Sequence, residues 1–289
     1  MNFENILKQL NSELEPLEFE SHPFLIKWYN NHVDDKFKLN YAENTLAVLV
    51  INKPKMFDKL FLKFLFDKFK YGSESLESHN DPIDLCMTET FSQIKQKFEE
   101  MDNNEIDVIK DFEMMPGNRR PKIIMQTCAH VSGAAYFYDP KKIENDRLND
   151  ETNTNLLKKN LMGVCLHSKY GGWFAMRCVF IFKNIILDNE ELKWRQPIDP
   201  LNGNYEKIID LLKKFNYNWK DSTYRDVIKV KESYSSIQRE YFNLEPKYRK
   251  DLIKEWLEYS NVEQLIQTYE KIFKDKNLKN YLVKNFYIV

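Results

Sequence analysis

The chain reads as an α+β fold, with helices packed around a mostly antiparallel sheet. Three stretches carry that reading. TLAVLVIN, residues 45–52, is a continuous apolar run rich in β-branched residues and bounded by polar ones, as a central strand requires. KMFDKLFLKFLFDKFK, residues 55–70, repeats large apolar residues at helical spacing. GVCLHSKYGGWFAMRCVFIF, residues 163–182, runs as strand, turn and strand.

The elements follow in order. Phe3, Ile6, Leu7, Leu10 and Leu14 predict a first helix over about 3–13, and Leu17–Glu20 a short extended piece. PFLIKWYNN predicts a helix that starts at Pro23, a residue favoured in the first helical turn. After the strand at 45–52, the 55–70 helix puts Phe57, Leu60, Phe61, Phe64, Leu65 and Phe69 on one side. That is the wide stripe of a helix covering a core; a basic membrane-surface helix is the alternative, and Asp58 and Asp67 dilute its basic face. A polar loop with Gly72 leads to a helix from Asp81 to about Met101, with Asp81 as N-cap and Pro82 at the first helical position. EIDVIKDFE, 105–113, predicts a strand, and Pro116 with Gly117 a turn.

Residues 118–138, NRRPKIIMQTCAHVSGAAYFY, carry a basic pair, a small-residue centre at Ser132–Ala135 and three closing aromatics. Five of the seven glycines fall between Gly117 and Gly172, so close backbone approach is concentrated in that third of the chain. The Asn/Asp/Lys tract at 139–160 predicts a polar surface insertion. In the ribbon that follows, Gly171 and Gly172 turn the chain. Strict alternation then sends Trp173, Ala175, Arg177, Val179 and Ile181 to one face, and Phe174, Met176, Cys178, Phe180 and Phe182 to the other. An arginine among apolar neighbours needs an anion. NYEKIIDLLKKFN predicts a helix, and the remainder from about 230 is helical, including one starting at Pro246 and one over about 262–284. The organisation expected is a main domain over 1–245 and a helical C-terminal extension over 246–289.

Forty-three Lys+Arg against forty-four Asp+Glu leave a formal charge of −1, which provides no overall basic field for nucleic acid or an anionic membrane. No run approaches the ~18 apolar residues of a membrane span. The first helix is interrupted by acids, so the N-terminus does not read as a signal peptide. Cys86, Cys128, Cys165 and Cys178 form no CxxC pair or zinc spacing, which suits a reducing compartment and a cytoplasmic location.

CAHVSG, 128–133, partly matches the DxHxxG signature in which a histidine ligates a corrinoid's cobalt. Cys128 occupies the place of the aspartate that would raise the histidine's basicity, so His130 reads as a hydrogen-bonding wall residue or a satisfied core histidine. Cys165 reads as a small buried hydrophobe or as a nucleophile. Dinucleotide fingerprints, phosphate loops and GxSxG elbows are absent. Arg177 and Arg225 follow aromatic or apolar residues that exclude water and read as pocket arginines; Arg119, Arg120 and, on its own, Arg249 read as surface.

Taken together, NRRPKIIMQTCAHVSGAAYFY, GVCLHSKYGGWFAMR and NWKDSTYRD resemble the methylmalonic aciduria and homocystinuria type C family of cobalamin-processing enzymes. PFLIKWYN, DPIDLC and SYSSIQREYF extend the resemblance over about residues 20–250. The resemblance implies a flavin-reductase or nitroreductase-like fold. It implies reductive decyanation of cyanocobalamin with reduced flavin, FMN or FAD, and glutathione-dependent dealkylation of alkylcobalamins. A non-catalytic cobalamin carrier and a flavin-dependent nitroreductase on the same fold are the alternatives. By position, the corrinoid wall implied comprises Asp111, Ile123, Ile124, Met125, Gln126, His130, Phe137, Tyr138, Asp139, Cys165 and Met176, with Asp139 standing where the family has glutamine. Arg177, Arg225 and Arg249 match the glutathione-binding arginines. The only metal implied is cobalt held by the corrin. A flavin reductase and a downstream cobalamin-trafficking protein are the partners implied.

Overall fold

The computed structural model of the protein describes residues 3–102, 105–117, 119–142, 161–188 and 191–274. In chain order, the elements are α1 (Phe3–Leu14), β1 (Phe19–Leu25), α2 (Ile26–Asn30), β2 (Thr45–Asn52), α3 (Leu62–Leu65), α4 (Pro82–Asp102), β3 (Ile106–Lys110), α5 (Met125–Val131), β4 (Tyr136–Tyr138), β5 (Val164–Leu166), β6 (Ala175–Ile186), α6 (Tyr205–Tyr217), α7 (Ser236–Asn243), α8 (Arg249–Leu257) and α9 (Val262–Lys274). α3 is flanked by π-helical turns at Phe57–Phe61 and Phe66–Lys70. The chain forms two compact units, Met1–Lys53 with Phe91–Ser233, and Pro54–Thr90 with Tyr234–Val289.

The first unit is built on a four-stranded antiparallel sheet in the order β1-β2-β6-β3. β2 is buried along its whole length, which is why its sequence is apolar without alternation. On one face, Ala47, Leu49, Ile51, Ile109, Val179 and Ile181 pack with Cys128, Ala129 and Val131 of α5. On the other, Phe91 and Phe98 of α4 meet Phe180 and Phe182 edge-on, each pair about 6.0 Å apart. The cap expected at Asp81 forms, and Asn204 adds one at the start of α6. Asp81 Oδ1 accepts from the Ile83 N–H at 3.0 Å, and Asn204 Oδ1 from the Lys207 N–H at 3.0 Å.

Three expectations are corrected. Pro23 does not open a helix: it lies in β1, opposite Val48, and α2 begins at Ile26. β1 is an edge strand, where a residue without an N–H is tolerated. The 163–182 ribbon does not close as a hairpin of paired strands. His167 and Gly171 do exchange backbone hydrogen bonds at 2.8 and 2.9 Å around a turn, but β5 pairs with β4 in a separate two-stranded sheet while β6 joins the main one. Finally, the alternation along β6 is broken. Val50 pairs with Cys178 and Ile51 with Met176, which leaves Arg177 as the extra residue of a bulge. Phe174 and Met176 therefore pack on the same face as Val179 and Ile181.

In the second unit the 57–70 helix is a core helix. Phe57, Phe61, Leu62, Leu65 and Phe66 are buried, a stripe shifted from ideal spacing because π-helical turns carry more residues each. Phe57 lies 5.3 Å from the Tyr241 ring and 6.2 Å from the Trp256 ring. Most of the 139–160 tract, from 143 onward, and the expected helix beyond 274 lie outside the described residues. No helix among the described residues is long and apolar enough to cross a membrane.

Candidate functional site

In the first unit an open cleft of about 410 Å³ gathers segments distant in sequence. Asp111, Ile123, Ile124, Met125, Gln126, Cys165, Met176 and Arg225 all line it. Each is placed by backbone that the sheet or a neighbouring element fixes. Asp111 follows β3 and donates its N–H to the Arg177 carbonyl at 3.0 Å, directly beside the bulge. The chain then loops back through a bridge between Met114 and Pro121, and the Ile124 N–H donates to the Tyr29 hydroxyl at 3.0 Å, pinning the IIMQ segment to α2.

Cys165 sits on β5 opposite Phe137. Burial pushes its thiol far above the ordinary value, and its Sγ lies 3.8 Å from the Gln126 carbonyl, so it is a neutral wall group. Gly163, beside it in the cleft, has no room for a side chain, since a Cβ there would lie 2.5 Å from Phe137 Cε2 and 2.8 Å from the Tyr138 carbonyl.

The remaining expected wall residues are not among those lining the cleft. Phe137 stands behind Gly163 and Cys165. Tyr138 is buried in a neighbouring core with Leu201 and Leu211, its hydroxyl donating to Asp199. Asp139 caps the next turn through the Lys141 N–H at 3.0 Å. His130 closes the last turn of α5, where its Nδ1 accepts the Phe137 N–H at 3.3 Å. That bond places the ring proton on Nε2, so the neutral ring has no lone pair left there for a metal. Burial and the nearby Lys142 and His32 also lower its pKa to about 4, so it is neutral near pH 7.

The three arginines differ. Arg225 lines the cleft, with its guanidinium 4.9 Å from the Tyr224 ring centre and 5.4 Å from that of Trp173, and Nη1 donating to the Gly172 carbonyl. Arg177 is 6% exposed; its Nε donates to Asn52 Oδ1 at 2.7 Å and its Nη1 lies 3.8 Å from Asp111 Oδ2. Asp111 and Asn52 are thus the partners that the buried cation required. Arg249 belongs to the second unit, where it crosses the faces of Tyr241 and Phe242, donates to the Tyr241 carbonyl at 3.2 Å and lies 3.9 Å from Asp81.

Sequence reasoning missed Phe174, Phe215 and Tyr224, which also line the cleft. Phe174 carried a signal in its alternation, which puts it on the same face as Met176. Tyr224 carried a signal in its position next to Arg225, and Phe215 carried one in the apolar stripe of α6.

Comparison with known proteins identifies a family. A family model described as the methylmalonic aciduria and homocystinuria type C family matches residues 18–253. A Gallus gallus protein named cyanocobalamin reductase / alkylcobalamin dealkylase is 39% identical over 246 residues, covering 85% of this chain and 94% of the relative. The Homo sapiens protein of the same name is 37% identical over 248 residues, covering 86% and 80%. The crystal structure of a C. elegans B12-trafficking protein, CblC, superposes with a TM-score of 0.78 at 34% identity, covering 89% of this chain and 97% of that one.

Proposed function

The chain belongs to the methylmalonic aciduria and homocystinuria type C family, and from that premise we propose that it removes the upper axial ligand of cobalamin. The observation that carries the reading is the convergence of Asp111, the IIMQ segment, Cys165, Met176 and Arg225 on one cleft, with no histidine among its described lining residues. Cobalamin bound there leaves its own base detached, and with one electron-donating ligand lost from the lower face, cobalt is easier to reduce.

Two reactions follow. In decyanation, Co(III) accepts one electron and becomes Co(II), and cyanide departs with the bonding pair. A reduced flavin, FMN or FAD, supplies the electron, delivered by a flavin reductase. In dealkylation, the glutathione thiolate attacks the alkyl carbon. A C–S bond forms, the Co–C bond breaks, and the electron pair stays on cobalt as cob(I)alamin. Arg225, in the cleft, is assigned a glutathione carboxylate, since guanidinium keeps its charge when desolvated and pairs carboxylate bidentately. For Arg177 and Arg249 a glutathione-binding role rests on family position alone. Cys165, neutral at physiological pH, forms wall, and the attacking sulfur comes from glutathione.

His130, Phe137, Tyr138 and Asp139 are assigned to the corrinoid wall on family position alone. The fold is read as nitroreductase-like, with the chemistry in residues 1–245 and 246–289 as a helical extension. The setting proposed is the cytoplasm, with a cobalamin-trafficking protein receiving the product. Titration of the purified protein with cyanocobalamin tests the reading. The visible spectrum shifts to the base-detached form, and an unchanged spectrum at saturating protein refutes it. Tight flavin co-purification with no corrinoid change would instead indicate a nitroreductase. Corrinoid binding without thiol-dependent turnover would indicate a carrier.

A further inference from the structure

At the edge strand β1, Glu20, His22 and His167 bring one carboxylate oxygen and two imidazole nitrogens within 4.8 Å of one another. Zinc accepts that donor set. His167 excludes it. Its Nδ1 accepts the N–H groups of Lys169 and Tyr170 at 3.0 and 3.2 Å, so the ring proton sits on Nε2, the atom turned toward Glu20 Oε2 at 3.7 Å. A metal at Nε2 would require an imidazolate, whereas a metal-bound histidine donates from its other nitrogen. The cluster is instead centred on an anion. Burial by itself would raise the Glu20 carboxyl, but His22, Tyr170 and His167 outweigh it and hold the carboxyl down at about 2.

The Tyr170 hydroxyl donates to Glu20 Oε1, and the Tyr170 ring stacks on His167 with centres 4.6 Å apart. Both residues belong to the 167–171 turn, closed by the two His167–Gly171 hydrogen bonds, with Gly171 at φ +58°. The next residue, Gly172, grips Arg225 twice. Its N–H donates to the Arg225 carbonyl at 3.1 Å and its carbonyl accepts from Arg225 Nη1. Glu20 thus anchors one end of a rigid turn whose other end holds the arginine that faces the cleft.

We propose that Glu20 is a positioning residue for Arg225, acting through Tyr170, His167 and Gly172 to set glutathione affinity without touching either substrate. The inference rests on the assignment of Arg225 to glutathione. The expected penalty is about tenfold, the weight of one hydrogen bond to a charged group.

The test compares Glu20→Gln, Tyr170→Phe, the double variant and Arg225→Ala. Glu20→Gln and Tyr170→Phe raise KM for glutathione about tenfold. They leave flavin-driven decyanation and the base-detached cyanocobalamin spectrum within twofold, and they speed hydrogen exchange at the Gly172 amide. The double variant is no worse than Tyr170→Phe alone, because Glu20→Gln strips the charge from the acceptor of the same hydrogen bond whose donor Tyr170→Phe removes. Equal losses in both reactions, or an unchanged KM in the two single variants while Arg225→Ala raises it, overturn the inference alone. An unchanged KM in Arg225→Ala overturns the assignment of Arg225 to glutathione and this inference with it. Tyr170→Phe keeps the buried ring and its stacking, so it stands as the test if Glu20→Gln fails to fold.

Discussion

Gly172→Ala probes the grip on Arg225 from the other side. The backbone at Gly172 is not in the left-handed region, so alanine is conformationally acceptable there and any effect is steric. A Cβ would lie 2.8 Å from Arg225 Cα, 3.0 Å from its Cγ and 3.1 Å from its Cβ. The nearest of these contacts is with main chain, so no side-chain rotation relieves it. Restoring ordinary contact at 3.4 Å moves Arg225 by at least 0.6 Å. That displacement strains both the Gly172–Arg225 backbone bond and the bond from Nη1, with a combined loss of about 2–4 kcal/mol, since one of the two involves a charged donor. A misplacement of about 1 Å can cost roughly a hundredfold in rate, so kcat/KM for glutathione in methylcobalamin dealkylation falls about 10- to 100-fold. Decyanation, which does not use Arg225, changes by no more than a few-fold. Steady-state dealkylation across glutathione concentrations, run beside flavin-driven decyanation, reads both values. Wild-type thiol kinetics in a folded Gly172→Ala protein would refute the reasoning, and so would an equal loss in the two reactions.

Arg177→Ala takes from the buried Asn52 the charged donor to its Oδ1, so it lowers the thermal midpoint by the equivalent of about 1.5–3 kcal/mol. Where the variant is still folded, dealkylation falls more than decyanation; equal losses would confine Arg177 to holding the fold. Cys165→Ser keeps glutathione-dependent turnover within a few-fold, and iodoacetamide modifies Cys165 slowly at neutral pH because burial keeps the thiol protonated; abolished turnover would restore the nucleophile. In the second unit, burial raises the Glu240 carboxyl from 4.5 to about 7, with Glu255 adding to the rise and Tyr269 opposing it. The folded state therefore binds the extra proton between those values, and stability falls as pH rises from about 4.5 to 7, by up to roughly 3 kcal/mol. Glu240→Gln flattens that slope in denaturant melts across the window, and an unchanged slope would refute the assignment.

Local signals in the sequence determined much of this protein. The unbroken apolar run of β2, the Asp81 cap and the helix of α6 each report an interaction within a few residues, so spacing and residue type suffice to place them. Family motifs likewise pointed to Asp111, the IIMQ segment, Cys165, Met176 and Arg225, which the fold brings to one cleft. The ribbon at 163–182 shows where that reach ends. Period-two alternation gives two faces but names no partner strand, and one extra residue at Arg177 reverses every face on its far side. Only the tertiary structure could send β5 to β4 and β6 to β2, because strand pairing depends on what the rest of the sheet leaves unpaired. The same holds for Glu20 and Tyr170, 150 residues apart, and for Gly172 and Arg225, 53 apart. Such contacts form only after the chain has closed long loops, and no local pattern of residues encodes them.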